Sequence, residues 1–75
     1  MKPSLGGHVL IASSGEAMQL TVTETGATST MGTFAWDGNV LVHTKLNLTL
    51  TFTSPPNEFT AIVGNPAQVI VGTWT

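Results

Sequence analysis

Residues 40–53 read Val-Leu-Val-His-Thr-Lys-Leu-Asn-Leu-Thr-Leu-Thr-Phe-Thr, and their pattern decides the fold class. The even positions are Val40, Val42, Thr44, Leu46, Leu48, Leu50 and Phe52. The odd positions from His43 onward are His43, Lys45, Asn47, Thr49, Thr51 and Thr53. A period of two marks a strand with one face buried and the other wet. As one strand the stretch would be about 45 Å long at ~3.3 Å per residue, well beyond the usual length of about five or six residues. It therefore either bends near Thr44-Lys45 and serves two sheets, or projects from the body as an arm. The bend is the preferred reading, with Leu46, Leu48, Leu50 and Phe52 as the core stripe and His43 on the polar face.

Upstream lies Asp37-Gly38, with Thr28 to Trp36 before it and Asn39-Val40-Leu41-Val42 after it. Asp-Gly between two β runs predicts a hairpin with a two-residue type I′ turn. That turn pairs Trp36 with Asn39, Phe34 with Leu41 and Gly32 with His43. Phe34, Trp36 and Leu41 then share one face, and Val40 and Val42 share the other with Met31, Thr33 and Ala35. Both faces are partly apolar, so this hairpin expects cover on both sides.

The same alternation places a strand over Ala17 to Thr25, where Met18, Leu20 and Val22 interleave with Gln19, Thr21 and Thr23. Further strands are predicted over His8 to Ser13, Glu58 to Val63 and Gln68 to Trp74. Ser54-Pro55-Pro56-Asn57 is a firm stop, because a central strand cannot lose two consecutive amide donors. No stretch reads as helix. The expected fold is an all-β single domain over residues 8–75. It is a small antiparallel β-sandwich or barrel of about six or seven strands with meander-like hairpins. Residues 1–7, with Pro3, Gly6 and Gly7, form a flexible N-terminal lead or arm.

Composition limits what such a domain can be. A chain of 75 residues has a thin core, and this one has no cysteine for a disulfide or a thiolate metal site. Charged residues are 8% of the chain, against about 25% in a typical soluble domain. They are Lys2, Glu16, Glu24, Asp37, Lys45 and Glu58. The polar surface rests instead on thirteen threonines and their Ser, Asn and Gln neighbours. Neutral hydroxyl surface costs less to desolvate than charge, so it suits protein–protein contact. Two lysines and a net charge of −2 leave no basic cluster for nucleic acid or for an anionic membrane. No apolar run approaches a membrane-spanning helix, and Met1 to Gly7 lacks the apolar core of a signal peptide. A virion or the cytoplasm is the expected location.

Candidate chemistry is sparse. His8 and His43 have no ligand spacing, so no metal or cofactor is expected. The four acids are scattered and lie in or beside turns, and no nucleophile elbow is present, so no catalytic residue is assigned and the chain is read as non-enzymatic. Among the aromatics, Trp36 and Trp74 are the sharper candidates, as platforms for stacking a sugar, or as core and interface residues.

The function expected is that of a structural assembly protein. It acts as a homo-oligomer, with a trimer among the options, on itself or on a capsid or other protein scaffold. In composition the chain resembles small phage virion accessory proteins of the head-decoration or cement type. The resemblance implies an assembly role and carries over no residue roles. Phe34, Trp36, Leu41 and Trp74 are the expected interface residues. The alternative is a small β-module that binds a glycan or another neutral ligand.

Overall fold

The computed structural model describes residues 1–75 as eight antiparallel strands closed into a barrel. The strands are β1 (Gly6–Ala12), β2 (Ala17–Val22), β3 (Gly26–Ser29), β4 (Gly32–Asp37), β5 (Val40–His43), β6 (Leu48–Thr53), β7 (Glu58–Val63) and β8 (Gln68–Trp74). Each pairs with its sequence neighbours, and β8 returns to β1 through Leu10–Trp74, Ile11–Thr73 and Ala12–Gly72. Closure leaves no free sheet edge.

The all-β, antiparallel, meander-like expectation holds, and of the two architectures expected the barrel is found and not the sandwich. The strand count needs correction: it is eight and not six or seven. One extra strand comes from the region before Trp36. There Thr30-Met31 turns the chain between β3 and β4, so the single strand expected over Thr28 to Trp36 is interrupted. The other comes from residues 40–53, which neither bend nor project. They fold back as the β5–β6 hairpin, pairing Val40 with Thr51 and Val42 with Thr49.

That reversal changes the phase of the stripe. In β5 the inward residues are Leu41 and His43; in β6 they are Leu48, Leu50 and Phe52. The alternation reads as continuous only because the loop at 44–47 happens to keep its rhythm. Leu46, expected in the core stripe, sits on that loop half exposed. His43, expected on the polar face, is buried.

The β4–β5 hairpin is present with a shifted register. Asp37 pairs with Val40, Trp36 with Leu41 and Phe34 with His43, so Gly38 and Asn39 form the loop. Gly38 has φ 61°, and no non-glycine residue has positive φ. A positive φ at the first loop position alone is the type II′ arrangement, not type I′. The shift moves each partner by two residues, so Phe34, Trp36 and Leu41 still share a face, as expected.

Inward residues fill the barrel. Leu10, Leu20, Val22, Ala27, Phe34, Leu41, Leu48, Leu50, Phe52, Phe59, Ala61 and Trp74 form one buried cluster. Gly72 belongs to the inner row between Phe59 and Ala12, where β8 passes close to β1. A Cβ there would overlap the Ile11 carbonyl oxygen and press on the Phe59 ring. Glycine at such a corner lets a small barrel close.

Candidate functional site

The four expected interface residues all face into the barrel. Phe34, Leu41 and Trp74 are buried in the core, and Trp36 is half buried at its end. Trp74 donates its indole N–H to the Thr53 carbonyl at 3.0 Å, and Trp36 donates to the Thr23 carbonyl at 3.2 Å. The Trp74 ring meets the rings of Phe52 and His8 edge-on. Trp74 thus has no free face for a sugar ring. The Lys2 ammonium sits 5.1 Å from the Trp36 ring centre.

These aromatics close one end of the barrel. The N-terminal residues lie over the same end: the Met1 nitrogen donates to the Phe52 carbonyl at 3.0 Å, and Pro3 is buried. His8 is also here, its ring nitrogens 2.7 Å from the Ser4 carbonyl oxygen and 3.0 Å from a Thr75 oxygen.

His43 builds the β5–β6 turn. Its Nδ1 accepts the backbone N–H groups of Lys45 at 3.0 Å and Leu46 at 2.9 Å. Its Nε2 lies 2.8 Å from the Met31 carbonyl. Two donors on Nδ1 and a carbonyl on Nε2 assign the neutral tautomer that carries its proton on Nε2. The ring also packs edge-on to Phe34, with centroids 4.9 Å apart. No cluster of three or more His, Asp or Glu side chains forms anywhere.

Two apolar surfaces are left over. The first is the outer wall of β7, β8 and β1. Cross-strand pairing aligns Ile62 with Val69, Thr60 with Val71, and Ile11 with Thr73, all pointing outward. Val69 is 64% exposed, Val71 50%, and Ile62 and Ile11 44% each. A hollow of about 490 Å³ runs over Gly72 between Ile11 and Val71, with Glu58, Thr60 and Thr73 around it. In the sequence these residues are the polar positions of their strands by phase but not by chemistry. The succession Val69-Ile70-Val71 was the signal available.

The second is the mouth of the barrel at the end opposite Trp36, Phe52 and Trp74. An apolar cavity of about 390 Å³ opens there above Leu10, Leu50, Phe59 and Ala61. Met18, Met31 and Ile70 stand at its sides, and Glu16 and Thr30 are the only polar residues on it.

Comparison of the chain with protein-family models, with curated proteins and with solved structures yields no match.

Proposed function

We propose that this chain is a non-enzymatic assembly protein that works as a homo-oligomer, packing the outer wall of β7, β8 and β1 against a second copy. The observation that carries the reading is the exposure of Val69, Val71, Ile62 and Ile11 as one outward patch. Contiguous exposed apolar surface of this kind marks interaction sites. Three features support self-packing. A closed barrel offers no edge for strand addition, so contact must be wall to wall. Glu58 is the only charged residue around the hollow, so little charge is desolvated. The hollow beside the Val69 and Ile62 ridge gives a surface that can receive its own ridge in a closed symmetric pair or ring.

Size is compatible with this. A stable interface buries roughly 800 Å² per partner. The whole chain exposes 4644 Å², so about a sixth of its surface would suffice. A trimer and a capsid-type scaffold belong to the same reading, as does a virion location.

Sedimentation velocity across micromolar concentrations tests it. The wild type should sediment as a multiple of its 7.8 kDa protomer mass. Val71→Lys should sediment as one protomer with an unchanged β circular-dichroism spectrum. A wild type that stays at one protomer over the whole range overturns the proposal.

A further inference from the structure

The two ends of the barrel are finished differently. Trp74, Phe52 and Trp36 fill one end, with Pro3 buried over it. At the other end Ala12 and Ala61 leave space between the larger inward side chains Met18, Leu48 and Val63, and the cavity of about 390 Å³ stays open. Its floor is part of the core, with Leu10 and Leu50 each 2% exposed. Small-molecule sites are concave, mainly apolar, roughly 300–1,000 Å³ in size, and marked by a few polar groups that fix orientation. The mouths of β-barrels are a common place for them.

The polar groups identify the ligand. Glu16, on the β1–β2 turn, is the only ionisable side chain on the cavity, and Thr30, on the β3–β4 turn, is its only other polar residue. Neither lysine lines it. An acidic head group would find a carboxylate and no cation; a protonated amine would find a counter-ion at the rim and hydrocarbon below. Met18 and Met31, unbranched and adaptable, can reshape the walls around different apolar bodies.

We propose that the mouth binds a small molecule with an apolar body and a protonated amine head, the body seated on Leu50, Phe59 and Ala61 and the amine at Glu16. This site adjoins the assembly wall, since Ala12 and Phe59 line both hollows, but its other side chains are distinct. Ile70 points into the mouth, whereas its neighbours Val69 and Val71 point out, so each surface can be altered alone.

The test is a methyl NMR titration of the full chain with 2-phenylethylamine, and with 3-phenylpropionate as the acidic counterpart. The amine should move the Met18, Met31 and Ile70 methyl signals saturably and bind about fivefold more tightly than the acid, as expected for one exposed ion pair. Glu16→Gln should erase that preference, and Glu16→Lys should reverse it. Glu16 is an exposed turn residue, so both variants should keep the wild-type spectrum elsewhere. Three outcomes overturn the proposal: no saturable shift with the amine, equal binding of amine and acid to the wild type, or shifts confined to Ile62, Val69 and Val71.

Discussion

The outer wall over β2, β3 and β4 differs sharply from that over β7, β8 and β1. The first presents Gln19, Thr21, Thr28 and Thr33, aligned row by row. The second presents Ile62, Val69, Val71 and Ile11 in the same kind of rows. Behind both walls the inner faces carry the same chemistry: Leu20, Val22, Ala27 and Phe34 on one side, Phe59, Ala61, Trp74 and Leu10 on the other. The barrel therefore closes equally well over a threonine wall and over a valine wall. The outward valines and isoleucines are therefore the surface on which the proposed assembly rests.

Changing a residue inside the barrel should have the largest effect. Leu50 is in the inner row Trp36–Leu41–Leu50–Ala61–Ile70, which runs across five strands from one wall towards the other. Leu50→Ala should cost about 2–5 kcal/mol, read from urea melts. An unchanged midpoint would mean the inner row is not the core. His43→Ala comes next, at about 1–3 kcal/mol, because it releases two backbone N–H groups and the Met31 carbonyl together. His43→Gln should recover part of that loss, since an amide can accept and donate where the ring does. On the outer walls the monomer's stability should barely move. Val69→Thr and Thr28→Ala should each stay within about 0.5 kcal/mol under conditions where the chain is a single protomer. Only Val69→Thr should weaken assembly.

Two hairpins show what was legible in the sequence. At β4–β5 the turn is encoded locally, because Gly38 takes the positive φ that a two-residue loop needs. Asp37-Gly38 therefore marks the hairpin, although not its register. At β5–β6 the loop Thr44-Lys45-Leu46-Asn47 contains neither glycine nor proline. It is held by the His43 ring, a side chain that earns its place only after β3–β4 brings the Met31 carbonyl beside it. A turn made by tertiary contact leaves no composition signal, so the alternation ran through it and hid a strand. The same limit applies to the surfaces. Which residues alternate was readable. Whether Trp36 and Phe34 or Val69 and Val71 faced outward depended on closure between β1 and β8, a pairing that no local pattern states.

The contrast between the walls can be tested directly because the chain has no cysteine of its own. Single cysteines at Val71 and at Thr28 place one thiol on each wall, and a short bis-maleimide then reports which wall meets another copy. Val71→Cys should yield covalent oligomers at micromolar protein, and Thr28→Cys should stay at one protomer. Equal cross-linking of the two, or cross-linking through Thr28→Cys alone, would contradict the assignment of the β7–β8–β1 wall as the contact face.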